Sequence, residues 1–192
     1  MKQTVGLSAL AFLLTAAPAM AQSTTATATG TVAIDAQVRS VCILGNPNPA
    51  LVNLGQISAG SGPRTGKIDT IAPRTVTLPA SFCNFAGSVV RVTTTALTSS
   101  DTTSPQPGFT RAVNYTATAS GWAAGTTAAT SAALRDGTSP SATGSGATQP
   151  LPKIADLSVT LSSFTTPGDL ILVAGNYSGN VVVTLGPAAF AD

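Results

Sequence analysis

From Ala26 to Cys42 the chain alternates with a period of two. Even positions carry Ala26, Ala28, Gly30, Val32, Ile34, Ala36 and Val38, then Ser40 and Cys42. Odd positions carry Thr25, Thr27, Thr29, Thr31, Ala33, Asp35, Gln37 and Arg39. Successive side chains of an extended backbone point to opposite faces, so this run has one apolar face and one polar face. It predicts a half-buried β-strand. The run is long against the usual strand of about five or six residues. Either it bends to serve two sheets, or its first half pairs with something else.

The rest of the chain repeats the theme in shorter pieces. Gly45-Asn46-Pro47-Asn48-Pro49 is a turn cluster. Strands are predicted at Leu51–Ile57, Thr75–Phe82, Ser88–Leu97, Phe109–Ser120, Ile154–Phe164 and Asn180–Leu185. In the last of these, Val181, Val183 and Leu185 share a face. The stretch 58–67 and the Pro-containing stretch 99–108 read as loops. Residues 121–150 are mostly Ala, Thr, Ser and Gly. Their first half could hold a strand or a short helix, and 139–152 reads as an exposed flexible loop. No segment has the spacing of an amphipathic helix, and no internal repeat or domain boundary stands out. Short strands punctuated by turns predict an all-β sandwich.

Composition narrows the chemistry. The 192 residues contain no His, and only 8% are charged. Glu is also absent. Without His, Ser-His-Asp and Cys-His catalysis and His-containing zinc sites are excluded. A paired-carboxylate site would need two of the seven scattered Asp. The net charge of +2 is a small surplus with no basic run, which gives nucleic-acid binding no support. The chain is expected to be neither an enzyme nor a cofactor carrier.

Met1 to Ala21 has the three parts of a secretory signal. Lys2 is followed by the apolar stretch Val5 to Ala17, and small residues precede Gln22 in Pro18-Ala19-Met20-Ala21. The apolar stretch is short of the roughly 20 residues that span a bilayer, so export with cleavage is expected, with no membrane insertion of the mature chain. In an exported chain the only two cysteines, Cys42 and Cys83, imply a disulfide. Two free buried thiols are the alternative. Trp122 could line a sugar-binding surface or fill the core. Asp69, Asp101 and Asp136 sit near loops without forming a calcium-loop pattern. Asn114-Tyr115-Thr116 and Asn176-Tyr177-Ser178 match the glycosylation sequon.

The order of these features carries a resemblance. A signal peptide precedes a Thr/Ala alternating strand and the first Cys. Leu54-Gly55 follows, then a Val/Thr strand ending in Cys83-Asn84. The chain closes on Val173-Ala174-Gly175-Asn176-Tyr177-Ser178-Gly179-Asn180-Val181-Val182-Val183-Thr184-Leu185. This resembles the bacterial pilin subunits of the chaperone–usher type, closest to the spore coat protein U-like branch with the archaic pilins. The resemblance covers most of Thr25 to Leu185, with 121–150 matching only in composition.

The resemblance implies an immunoglobulin-like antiparallel β-sandwich that lacks its final strand. A periplasmic chaperone fills the gap in transit to an outer-membrane usher. In the fibre, the N-terminal extension of the next subunit fills it. Residues 22–31 would be the donor, with Ala26, Ala28, Gly30 and Val32 toward the neighbour's groove, and 32–192 would be the sandwich domain beginning with its own first strand. The disulfide would tie that strand to the end of the strand before Ser88. Tyr177, Val181, Val183 and Leu185 would form the last strand and groove, and Phe190 a terminal aromatic for the chaperone. The implied product is a homopolymeric surface pilus or fimbria for adhesion or biofilm formation. A monomeric or tip-located secreted adhesin with a self-complete sandwich is the competing reading.

Overall fold

A computed structural model describes Thr27 and residues 29–189. The expected signal peptide, the donor positions Ala26 and Ala28, and Phe190 lie outside the described residues. The chain divides into two units, Met1–Gln37 and Val38–Asp192.

The described residues of the first unit form no strand and are all exposed. Val32 is 83% and Ile34 90% exposed. This corrects the expectation of one half-buried strand running from Ala26 into Cys42. The first ladder among the described residues begins only at Cys42. A strand needs an edge to pair with, and the described residues of this run before Cys42 have no ladder partner.

The second unit is all-β. Its strands are β1 (Cys42–Ile43), β2 (Arg74–Cys83), β3 (Ser88–Thr94), β4 (Leu97–Ser99), β5 (Phe109–Thr110) and β6 (Ala112–Ser120). They continue with β7 (Thr127–Thr130), β8 (Ala142–Ser145), β9 (Lys153–Thr165), β10 (Ile171–Leu172), β11 (Tyr177–Ser178) and β12 (Val181–Pro187). The only helical pieces among the described residues are two single 3₁₀ turns, at Gly62–Arg64 and Pro167–Asp169.

One sheet runs β1-β2-β9-β6-β4-β11, with β7 also on β6, and a second runs β12-β3-β8; β10 and β5 form a short parallel pair. The two large sheets share one core. Leu78, Leu157, Val159, Ala117 and Tyr115 come from the first, and Val90, Val92 and Leu185 from the second. In β9 the inward residues Leu157 and Val159 are buried and their neighbours less so, as period-two patterning requires.

The predicted fourth strand is split. The chain leaves the smaller sheet after Thr94 and joins the larger one at Leu97, passing through buried Ala96. β2 carries a bulge between Leu78 and Ser81. Pro79 has no N–H for the ladder, and Ala80 takes φ 51°. The Asp156 carboxylate accepts the displaced Ala80 N–H at 2.9 Å.

Trp122 is fully buried, and its Nε1–H donates to the Ser81 carbonyl at 2.8 Å. It fills the core and offers no sugar-binding surface. Gly121, at φ +87°, makes the turn that tucks it in.

Two expectations are corrected in the loops. The 139–152 stretch contains β8, paired with β3 from Arg91↔Ser145 to Thr94↔Ala142, and Gln149 bridges to Ser88. A Cβ at Gly144 would strike the Ala128 carbonyl, so the glycine permits close approach to β7. Conversely, 51–57 forms no strand. That segment belongs to the site.

Candidate strand-acceptor groove

β12 pairs with β3 along its whole length, from Val181↔Thr94 to Pro187↔Ser88. Its opposite edge has no ladder partner among the described residues. Alternate N–H and C=O groups of a strand point to each side, so this edge presents unpaired backbone donors and acceptors.

Across from it runs the segment 44–54, which follows β1. It is tied to the larger sheet by a β-bridge in which Asn48 and Thr77 exchange N–H···O bonds of 2.8 and 2.9 Å. Gly45 lies too close to the Pro79 backbone for any side chain, and its N–H donates to the Ser81 hydroxyl.

Between the two lies an apolar groove of about 570 Å³. Its floor is Leu78, Val159, Leu161 and Phe164; Leu44 and Leu54 stand on one wall, Val181 and Val183 on the other. Tyr115 closes the base. Its ring stacks on Phe164 with centroids 5.8 Å apart, and its hydroxyl donates to the Asn180 carbonyl at 3.2 Å, just before β12. Burial pushes the Tyr115 hydroxyl up to about 12. An apolar floor below an unpaired strand edge accommodates an extended chain that offers backbone hydrogen bonds and alternate apolar side chains.

The sequence candidates distribute around this groove. Val181 and Val183 line it. Leu185, on the same face, is buried in the core beyond the lining. Tyr177 lies in an adjoining cavity of about 670 Å³ formed by the 51–58 and 172–179 loops. Its hydroxyl donates to the Val173 carbonyl at 2.7 Å, and burial raises its pKa. The two cavities meet at Leu51, Leu54 and Leu97.

Cys42 and Cys83 form a disulfide, joining the directly opposed residues of β1 and β2. Gly30 and Val32 are exposed, with open space around Gly30. The period-two reading missed Leu44 and Leu54 as wall residues, because walls built from irregular chain carry no periodicity; Phe164 falls inside the predicted strand Ile154–Phe164 but was not assigned to the site.

The three loop aspartates do not converge. Asp69, Asp101 and Asp136 each accept a nearby backbone N–H, from Thr70, Thr103 and Thr138. Those bonds hold the Asp101 and Asp136 carboxyls below the ordinary value. No group of three or more potential metal ligands occurs among the described residues. No helix among them is long and apolar enough to cross a membrane. No family model, curated protein or solved structure matches the chain.

Proposed function

We propose that this chain is a structural subunit that polymerises by strand exchange. The N-terminal segment of one copy fills the groove of the next and completes a pilin-type, immunoglobulin-like sandwich. One coincidence carries the reading. The second unit has an open strand edge above an apolar groove, and the segment preceding it has an unpaired, exposed, alternating apolar face.

The lengths agree. Val32, Ile34, Ala36 and Val38 span the seven residues 32–38, and β12 has seven residues. The opposite face, Ala33, Asp35 and Gln37, is small or polar and suits the solvent side of an added strand. The donor is therefore placed at 32–38, C-terminal to the expected 22–31. This register gives the groove branched aliphatic side chains, where 22–31 offers mainly Ala and Gly.

The energetics favour exchange. Each Val or Ile moved from water into the groove contributes about 1.5–3 kcal/mol, and the added strand satisfies the β12 edge. Before assembly the same edge and groove are an association hazard. The proposed remedy in transit is a periplasmic chaperone strand, handed over at an outer-membrane usher. The product is a homopolymer at the cell surface, serving adhesion or biofilm formation.

The test is an immunoblot of sheared surface material run unboiled and boiled in SDS. A ladder that collapses to monomer on boiling is expected, and removal of residues 29–38 should abolish it. A single monomer band in both lanes would overturn the proposal and leave a self-complete adhesin as the reading.

A further inference from the structure

Beside the groove, the second unit exposes apolar side chains at both of its ends. At the disulfide end, Ile43, Phe82 and Ile154 stand in one cross-strand row, because Ile43 pairs with Phe82 and Phe82 with Ile154. They lie on the face opposite the buried Cys83. Ile43 is 51% and Ile154 69% exposed. At the far end, Leu51 stands exposed at the mouth of the groove, three residues past the Asn48–Thr77 bridge.

The chain between donor and domain is held in place. The Asn84 side chain donates through Nδ2 to the Arg39 carbonyl at 2.8 Å and accepts the Val41 N–H at 2.7 Å; the Asn84 N–H donates to the Val41 carbonyl at 3.1 Å. Residues 39–41 therefore leave the domain on a set course beyond the disulfide end. From Val38 to Cys42 the extended reach is about 13 Å.

The direction of insertion follows from pairing. Both neighbours in the β12 sheet are antiparallel, and antiparallel pairing is slightly the more stable. β12 begins opposite Thr94, at the Leu51 end, and finishes opposite Ser88, at the disulfide end. An antiparallel donor therefore brings its Val38 to the Leu51 end of the acceptor. The short, clamped link then places the donor's own disulfide end directly against that rim.

Building on the strand-exchange reading, we infer that the Ile43–Phe82–Ile154 patch docks on the Leu51 rim of the next copy. The contact is heterologous, one end of each subunit against the other end of its neighbour, and such contacts generate open filaments. Asn84 is the positioning residue that aims the two patches at one another.

The experiment places a photo-crosslinking amino acid at Ile154 in the full chain and irradiates assembled material. Strand exchange is read first, from the unboiled ladder. Docking is read second, from covalent dimers that survive boiling, with the crosslinked peptide identified by mass spectrometry. Dimers joined through the segment around Leu51 are expected, with their yield reduced to background by Asn84→Ala while the unboiled ladder persists. A ladder without boiling-resistant dimers, or with crosslinks mapping away from the Leu51 end, overturns the docking contact alone. Absence of the ladder overturns the strand-exchange reading, and the contact with it.

Discussion

Replacing Val32, Ile34 and Val38 together by Ala separates a donor segment from an ordinary strand. These side chains are 83%, 90% and 86% exposed in the free chain, so almost all of their transfer from water is still to come. Val→Ala removes two carbons and Ile→Ala three. At about 0.8 kcal/mol per buried carbon, the triple substitution forfeits about 5–6 kcal/mol of groove occupancy, or about 10⁴ in dissociation of adjoining subunits. Changes at one interface act mostly on the off-rate. Purified polymer should therefore lose its SDS ladder at a far lower temperature than the parent. The monomeric chain should melt within about 0.5 kcal/mol of the parent by circular dichroism, since exposed positions contribute little to its own stability. An unchanged polymer refutes the register 32–38. A destabilised monomer refutes the premise that the segment stands outside the fold.

Other substitutions probe the domain itself. Cys42→Ser with Cys83→Ser opens a loop of sequence separation 41; the chain-entropy model assigns that closure about 4 kcal/mol, readable as a lower denaturation midpoint. Tyr115→Phe removes a hydroxyl whose pKa is raised to about 12. The parent's stability from this group is complete below about pH 10, where the unfolded tyrosine stays neutral, and is lost as pH rises toward 12. The variant's stability should fall less across that window in pH-resolved urea melts. Gly144→Ala places a methyl against the Ala128 carbonyl; faster amide hydrogen exchange across β8 is expected. Leu157→Ala, at a fully buried site in the centre of β9, should cost about 2–5 kcal/mol in thermal or denaturant unfolding.

Legibility in the sequence followed how each residue is buried. β2, β6, β9 and β12 were readable because each packs one face on a shared core and keeps a period of two. β7 and β8 were not, since Ala128, Ala129, Thr143 and Gly144 carry too little side chain to mark a face. Their close packing on one another depends on the absence of a Cβ at Gly144 and Gly146. The 51–57 stretch has strand-like residues without a neighbour to pair with, so composition misled there.

The Ala26–Cys42 alternation was the clearest signal, yet its described residues form no strand before Cys42. Periodicity reports that a face is built to be covered and is silent about which molecule covers it. Of the site, Val181 and Val183 were legible, whereas the Leu44–Leu54 wall and the Asn84 clamp depend on tertiary placement.

The position of the disulfide has a mechanical consequence. In a strand-exchanged polymer under tension, pull from the neighbouring subunit reaches each domain through Val38 and arrives at Cys42. β1 alone offers only two residues of ladder and would peel. The covalent bond passes the load across to Cys83, at the end of β2, whose ten residues lie along β9. There the force runs parallel to the strands and must shear many hydrogen bonds together instead of opening them one after another. The chain from Ile43 to the start of β2, including the 44–54 wall, would be bypassed, so in such a polymer the groove would keep its shape under load.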